Sequence, residues 1–492
     1  MSKKNVFLLR SFVVILLVII FITSVYYYFH KQIIDFYSPD DASDIFLSTM
    51  DSEQITTFDS GNVLVTGEFL QNDNVYENRS FFVKSYHSSG KINNIGSLEL
   101  PVGYSLADTL ALDSSVVFLY ASEQKKSGEA LIFEISDDGT LLSSYDVKVD
   151  TSPNRSKELF LVYENDAVNY AVIIGNVFYV YNAEHIIVNE FNITPDIKIN
   201  DVICKNDSYI LAGRIKNDNG YNAYYTAYSK KGELIYSINT MNDTPSFAEK
   251  IIYRPHTDDN FYFITGYYFN AADYIKNKGD LPQSELFEIG EKSLRMIEPG
   301  VLLSSSYMSD PWPSFFILKV NADGTIISSV SPIEATQNTG ISEVNYVNMS
   351  CVNASASYPV LCFAEAIAPN TKSESYTLSV YSLNSDLTYE YSSGILMNSD
   401  VRNKHIVNPD GSISVFTELN KKYDMKMHKY NSIIDYAKEL RNITFYYRII
   451  EFIESCFTKL PMIAVYVIFI ISTKYRIWDY LGKKKIIDKW TI

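Results

Sequence analysis

The stretch LIFEISDDGTLL, at residues 131–142, decides the fold that this sequence predicts. It begins with an apolar run rich in Ile, Leu and Phe, passes through a polar Asp-Asp-Gly turn and ends in a second apolar run. This order is typical of a β-hairpin, because Asp and Gly tolerate the left-handed backbone that a tight turn requires. The same order recurs along the chain.

Six further stretches repeat the sequence of run, turn and run. They are FFVKSYHSSGKI (81–92), FYVYNAEHIIV (178–188), YYTAYSKKGELI (224–235), FFILKVNADGTII (315–327), YTLSVYSLNSDLTY (376–389) and KMHKYNSIIDY (426–436). Upstream of each hairpin lies another one with a more apolar second arm, at 60–69, 113–122, 166–175, 206–215, 257–269, 356–366 and 408–419. Two hairpins make a four-stranded meander, so the sequence predicts seven meanders at a period of roughly 50 residues.

Four-stranded antiparallel units with this period resemble the blades of β-propellers, which pack radially and leave only short, protected edges. The resemblance is to an architecture, because the Gly-His pairs of WD repeats, the Gly-Gly pair of kelch repeats and the tryptophan in each quinoprotein blade are absent from the repeats. It implies an all-β, seven-bladed propeller over residues 51–430. Two tandem β-sandwiches stay open as an alternative, as do eight blades, for which residues 286–306 would form a degenerate blade.

An apolar segment precedes the repeats. Ser11–Phe29 holds nineteen residues without a charge, enough for one helical crossing of a bilayer. Basic residues precede this segment and a Tyr-Tyr-Tyr-Phe cluster ends it, which predicts an uncleaved transmembrane anchor with a cytoplasmic N-terminus. The alternative is a cleaved signal peptide, whose apolar core would normally be shorter.

A second apolar segment follows the repeats. Leu460–Thr473 holds fourteen uncharged residues, and six basic residues follow it before the C-terminus. The basic flank predicts a second transmembrane helix, and the short length leaves a buried or interfacial helix as the alternative. The predicted domains are an N-terminus and anchor at 1–30, a juxtamembrane linker at 31–50, an extracytoplasmic propeller at 51–430, a helical connector at 431–457, a second membrane helix at 458–478 and a basic cytoplasmic tail at 479–492.

The net charge of −16 is concentrated in the repeats, because residues 31–430 carry 29 basic and 52 acidic residues. Such a body repels phosphate backbones, so a nucleic-acid partner is not expected. The Asp-Gly pairs at 138–139, 323–324 and 410–411 are predicted to be hairpin turns, since a calcium loop needs several carboxylates at alternate positions. No metal site, cofactor or catalytic residue is predicted from local motifs.

An insertion at residues 270–313 separates the two hairpins of the fifth repeat. Its Tyr274, Tyr307 and Trp312 are residue types that anchor interfaces, so they are the predicted binding residues, and a lid that fills the central channel is the alternative. Cys351 and Cys362 flank a turn near residue 356 and are predicted to face each other across a hairpin. A disulfide and two ordinary strand cysteines both stay open.

These features predict a membrane-anchored, extracytoplasmic propeller that binds a protein or an envelope polymer as a scaffold, within a membrane complex. One alternative is a hydrolase of envelope glycans or peptides that uses carboxylates around the channel. Another is a sensor that signals to the basic tail. Acidic and arginine side chains converging on a central cavity would favour the hydrolase. Both membrane tethers are further predicted to leave the propeller on the face that carries the insertion.

Overall fold

The computed structural model describes residues 17, 20–33 and most of the chain from 50 to 455. Outside the described residues lie 1–16, 18–19, 34–49, 71–78, 89–90, 123–128, 149–158, 218–219, 242–243, 254–259, 271–274, 276–280, 296–313, 332–346, 353–359, 368–374, 384–385, 399–400, 408–411, 420–424, 433, 437, 440, 444 and 456–492. The chain divides into two compact units, Pro39–Ala437 on the one hand and Met1–Ser38 with Lys438–Ile492 on the other.

The described part of the unit Pro39–Ala437 is built from strands. The first two sheets contain β1 (Met50–Thr57), β2 (Val63–Leu70), β3 (Arg79–Tyr86) and β4 (Ile92–Glu99), then β5 (Tyr104–Ala111), β6 (Ser115–Ser122), β7 (Glu129–Ser136) and β8 (Leu141–Lys148). The next two contain β9 (Leu159–Glu164), β10 (Ala167–Ile174), β11 (Val177–Tyr181) and β12 (Ile187–Asn192), then β13 (Ile197–Lys205), β14 (Ser208–Asn217), β15 (Gly220–Ser229) and β16 (Leu234–Asn239). The last three contain β17 (Ser246–Ile252), β18 (Phe261–Tyr268), β19 (Ser314–Asn321) and β20 (Ile326–Val330), then β21 (Val347–Val352), β22 (Val360–Ile367), β23 (Ser375–Leu383) and β24 (Tyr389–Asn398), and finally β25 (Val401–Val407), β26 (Ile413–Leu419) and β27 (Met425–Tyr430).

Every sheet is an antiparallel meander whose strands follow chain order. Within the described residues, six sheets have four strands and the last has three. The first strands of neighbouring sheets contact one another, as β5 does with β9, β9 with β13 and β13 with β17. Sheets that meet through their first strands and turn their fourth strands outward form a β-propeller-like fold, so the predicted architecture is confirmed.

The core lies between successive sheets. Apolar clusters fill the spaces between the first and second, second and third, third and fourth, and fourth and fifth sheets. The second, third and fourth sheets are therefore covered on both faces. Second and third strands are buried along most of their length, as in β6 and β19. This is why these strands are nearly continuous apolar runs and do not alternate strictly.

The connections between strands lie on two opposite faces of the propeller. The face that we call the insertion face carries the links from the second to the third strand of a sheet and the links from one sheet to the next. The opposite face, which we call the turn face, carries the turns from the first to the second strand and from the third to the fourth strand. A helix at Gln283–Arg295 lies in the link between β18 and β19 on the insertion face, with Leu286, Phe287 and Leu294 buried. This helix covers part of the segment 286–306 that the eight-blade alternative assigns to a degenerate blade, and residues 296–306 lie outside the described residues.

The last sheet departs from the predicted hairpin at 426–436. The chain turns after β27 into helix at 434–436, where Ser432 caps the helix by accepting a hydrogen bond from the backbone N–H of Asp435 at 3.2 Å. The hairpin predicted at 426–436 therefore has one strand, β27, and helix follows it at 434–436, within the connector predicted to be helical at 431–457. Because β27 is a third strand, the chain leaves this unit on the turn face, while β1 enters from the insertion face. The segment that joins β1 to the N-terminal helix, residues 34–49, lies outside the described residues, so the common face of the two tethers stays a prediction.

The second unit is helical where it is described, at 17, 20–33, 438–439, 441–443 and 445–455. The ring of Phe29 lies 4.9 Å from that of Tyr446, and the Tyr26 hydroxyl donates to Glu454 Oε1 at 3.1 Å. The helix at 20–33 therefore packs on the helix at 445–455. Among the described residues, no helix has both the length and the apolar character needed to cross a bilayer. The predicted span at 458–478 lies outside them, and so does much of the segment at 1–30.

Candidate functional site

The first strands of three sheets carry a β-bulge at the same level. The register with the second strand shifts immediately before Asp108 in β5, Asp201 in β13 and Lys250 in β17. Each of these residues lies opposite the fifth residue of its second strand. Because a bulge changes the direction of a side chain locally, the three bulges bring charged residues to corresponding places on the inner strands.

Both aspartates join neighbouring sheets. Asp108 Oδ2 accepts a hydrogen bond at 2.7 Å from the backbone N–H of Leu161 in β9, and Oδ1 accepts one from Thr109 at 2.8 Å. Asp201 does the same, with Ile251 in β17 at 2.6 Å and Val202 at 2.9 Å. All four carboxylate oxygens are thus occupied by backbone N–H groups. Each carboxylate works as a cross-link between first strands of adjacent sheets.

The two carboxyl groups have raised pKa values. Burial raises the pKa of Asp108 to about 7, and the negative charge of Asp201 adds to this shift. Burial also raises the pKa of Asp201 to about 6, while the charge of Lys250 and the N–H groups of Ile251 and Val202 oppose it. Asp201 is 8% exposed and Asp108 is half-buried, so Asp201 is the better residue on which to measure the effect.

The raised pKa of Asp201 predicts a pH dependence of stability. A carboxyl group whose pKa is higher in the folded state stabilises the fold below its unfolded pKa, and this contribution is lost as the pH rises through the folded pKa. We expect the free energy of unfolding of the full-length chain to lose about 2–3 kcal/mol from this group between pH 4 and pH 7. Chemical denaturation of Asp201→Asn across this range should show a flatter pH profile than the unaltered chain. The exposed Asp59→Asn is the matched control, and equal profiles for both variants would contradict the prediction.

Aromatic and basic groups lie where the inner strands end on the turn face. The Lys205 ammonium is 6.0 Å from the ring centroid of Tyr253, and burial, with the charge of Asp201, raises the pKa of Tyr253. Cys204 is a free thiol, and burial raises its pKa to about 12. A thiol with such a pKa is a poor nucleophile at neutral pH. No group of three or more His, Cys, Asp or Glu side chains within the described residues is arranged to hold a metal ion.

The turns on the turn face fasten each sheet to the one before it. Lys230, in the turn between β15 and β16, lies 2.9 Å from Glu164 Oε1 in the third sheet, and the Tyr209 hydroxyl donates to Glu164 Oε2 at 2.6 Å. In the corresponding turn of the second sheet, Asp137 accepts hydrogen bonds from Ser60 and Asn62 of the first sheet at 2.6 and 3.0 Å. The turn face is therefore closely connected by polar contacts.

Two of the three Asp-Gly pairs are hairpin turns, as predicted. Gly139 and Gly324 both have φ of 86°, and each preceding aspartate accepts a hydrogen bond from the backbone N–H two residues later, at 3.0 Å to Asp138 and 2.9 Å to Asp323. Hydrogen bonds from the Ser136 hydroxyl and then from Thr140 lower the pKa of Asp138, and the backbone N–H of Thr325 lowers that of Asp323. The pair at 410–411 lies outside the described residues.

The predicted site residues are only partly covered by the structure. Tyr274, Tyr307 and Trp312 lie outside the described residues. Cys351 in β21 and Cys362 in β22 are direct backbone partners in the antiparallel register, and a disulfide between them stays a prediction. Sequence reasoning did not find Asp108 and Asp201. The available signal was an aspartate inside an apolar strand segment, which requires a buried partner.

No protein-family model matches this chain, and no curated protein matches it. Similar solved structures include the β-propeller domain of the Trilobed protease from Pyrococcus furiosus, with 10% identity, 79% of this chain and 95% of that chain covered, and a TM-score of 0.41. Extracellular domains 1–2 of Drosophila Semaphorin 1b are 9% identical, with 79% of this chain and 87% of that chain covered and a TM-score of 0.33. A protein of unknown function from Bacteroides caccae is 10% identical, with 57% of this chain and 82% of that chain covered and a TM-score of 0.33.

Proposed function

We propose that this chain is a membrane-anchored, extracytoplasmic, seven-bladed β-propeller that binds a protein or an envelope polymer as a scaffold within a membrane complex. The observation that carries the proposal is that the carboxylates of Asp108 and Asp201 connect neighbouring sheets. Each oxygen of Asp108 and Asp201 accepts a backbone hydrogen bond, one from the aspartate's own strand and one from the first strand of the next sheet. These groups stabilise the contacts between sheets, which suits a rigid binding platform.

Seven blades are supported by contacts between neighbouring sheets. Apolar clusters join the first five sheets in order, and Lys319 Nζ lies 2.9 Å from Asp386 Oδ1, which joins the fifth sheet to the sixth. Strand β25 contacts both β21 and β1, which connects the seventh sheet to the sixth and to the first. A ring of seven sheets accounts for all of these contacts.

Membrane anchoring is supported by the helical unit. Tyr26 and Phe29, at the end of the first apolar segment, contact Glu454 and Tyr446. Leu460, where the second apolar segment begins, follows Glu454 by six residues. The two apolar segments would therefore start from one helix pair and run side by side, with their basic flanks in the cytoplasm.

The topology can be tested on the full-length chain with epitope tags at the N-terminus, after residue 492 and in the exposed turn at Lys231. We expect antibodies to detect only the tag at Lys231 on unpermeabilised cells, and all three tags after permeabilisation. Affinity purification from membranes should then recover a specific partner. Detection of a terminal tag on unpermeabilised cells would contradict the anchored topology, and purification without any partner would contradict the scaffold role.

An extracytoplasmic location also predicts a disulfide between Cys351 and Cys362. A bond that closes a loop of this length contributes about 2–3 kcal/mol in the chain-entropy model. We expect Cys351→Ser to lower the free energy of unfolding by about this amount, and to abolish the effect of a reductant on stability. Mass spectrometry after alkylation, with and without reduction, measures the bond directly. Cys204→Ser should leave the effect of the reductant unchanged, and two alkylated cysteines at 351 and 362 without reduction would exclude the disulfide.

A further inference from the structure

The outer strands of four consecutive sheets begin with exposed aliphatic side chains. These residues are between 39% and 60% exposed, whereas the second and third strands of the same sheets are largely buried. We call this set the aliphatic rim. It consists of Leu141 and Leu142 in the second sheet, Ile186, Ile187 and Val188 in the third, Leu234 and Ile235 in the fourth, and Ile326 and Ile327 in the fifth.

The aliphatic rim lies at one level of the propeller. The first residue of each outer strand pairs with the third strand at a bulge, directly after the turn between the two strands. The pairs are Leu141 with Ile135, Ile187 with Tyr181, Leu234 with Tyr228 and Ile326 with Val320. The same register in all four sheets puts the rim at the margin of the turn face. A single exposed leucine is ordinary, but the repetition at one position in four sheets is not.

Each aliphatic group of the rim has an exposed acidic residue beside it. The four acids are Asp138, Glu184, Glu233 and Asp323, and each stands one to three positions before the aliphatic group of its sheet. The turn between β15 and β16 holds two lysines. Lys231 is exposed, whereas Lys230 forms an ion pair with Glu164. The rim therefore presents apolar side chains in a negative field, repeated sheet by sheet.

We propose that the aliphatic rim is the docking surface for a protein partner whose contacting segment carries aliphatic side chains flanked by Lys or Arg. The inference rests on the proposed scaffold function and names the surface that performs it. Charge complementarity selects a basic partner, since opposite charges across an interface favour encounter and suppress wrong partners. The same acids repel an anionic bilayer and a second copy of this acidic chain.

The test uses the full-length chain in its own membranes, with a photo-crosslinking amino acid in place of Ile235 or Ile327. We expect both positions to crosslink to one protein, through a peptide that contains aliphatic and basic residues. The variant Leu142→Ser/Ile187→Ser/Ile235→Ser/Ile327→Ser should reduce recovery of that protein at least about tenfold in affinity purification. A control variant, Ser144→Gln/Glu190→Gln/Asn239→Gln/Ser329→Gln, alters exposed positions further along the same strands and should recover it in full.

A second variant guards against a general loss of folding. Glu184→Lys/Glu233→Lys changes only exposed acids and should also reduce recovery of the partner, with an effect that becomes smaller at high salt. Crosslinks to lipid, to another copy of the chain or to an acidic peptide would overturn the inference. If the unaltered chain recovers a partner that all variants retain, the rim is not its docking surface and the scaffold function stands. If the unaltered chain recovers no partner, the scaffold function itself fails.

Discussion

A chain that carries Gly266→Ala is expected to lose about 2–4 kcal/mol of its free energy of unfolding. Gly266 lies in β18 opposite the bulge of β17, and a Cβ atom there would lie 2.2 Å from the carbonyl oxygen of Phe247 and 2.5 Å from the ring of Phe316. The backbone next to this carbonyl is held by the neighbouring sheet, because the Asn200 side chain donates a hydrogen bond to the carbonyl oxygen of Ala248 at 2.7 Å. Chemical denaturation of the full-length chain in detergent measures the loss.

The matched control for this prediction is Gly96→Ala in β4. A Cβ atom at Gly96 would meet no heavy atom within 4 Å, so the substitution should change the free energy of unfolding by less than about 1 kcal/mol. Both glycines lie in strands, so strand propensity contributes similarly to both variants. The difference between their free energies of unfolding therefore measures the effect of close packing at Gly266. Equal losses for the two variants would mean that β17 does not lie against β18 as described.

The second large effect is expected for Lys230→Met, with a loss of about 2–4 kcal/mol. The substitution removes the cation that lies 2.9 Å from Glu164, whose side chain is 4% exposed, and among the described residues it leaves the Tyr209 hydroxyl as the partner of this charge. An uncompensated buried charge costs more than the intact ion pair contributes. Thermal and chemical unfolding of the full-length chain should both report the loss.

Two variants make the prediction for Lys230 specific. The neighbouring Lys231 is exposed, so Lys231→Met should change stability by no more than about 0.5 kcal/mol. Combining Lys230→Met with Glu164→Gln removes the buried charge, and the double variant should regain at least half of the loss. A double variant as unstable as the sum of both single variants would show that Lys230 and Glu164 are not coupled.

Much of the strand order follows from local turn chemistry. Gly139 and Gly324 occupy left-handed positions that glycine adopts without strain, and the hairpins around them were predictable for that reason. The segment 431–436 fits both the last predicted hairpin and the predicted helical connector, since its apolar residues suit a strand as well as a helix. Ser432 and Asp435 are spaced as a helix cap, a signal that the repeat pattern obscured.

The candidate site was less predictable because its contacts join distant parts of the chain. Asp108 bonds to Leu161 and Asp201 to Ile251, each some fifty residues further along, and nothing near either aspartate in the sequence marks its partner. The ion pair of Lys230 with Glu164 is equally remote. Such contacts exist only once neighbouring sheets have packed.

Alternation, turn residues and composition act over a few neighbouring positions, so the strands, their antiparallel succession and the charge of the repeats could be predicted from the order of residues alone. The folded unit was needed to learn how the sheets are joined, which aspartates are buried, on which face the chain leaves and where aliphatic side chains stay exposed. These features depend on which surfaces meet when sheets pack together, and packing partners are set by the geometry of the whole unit.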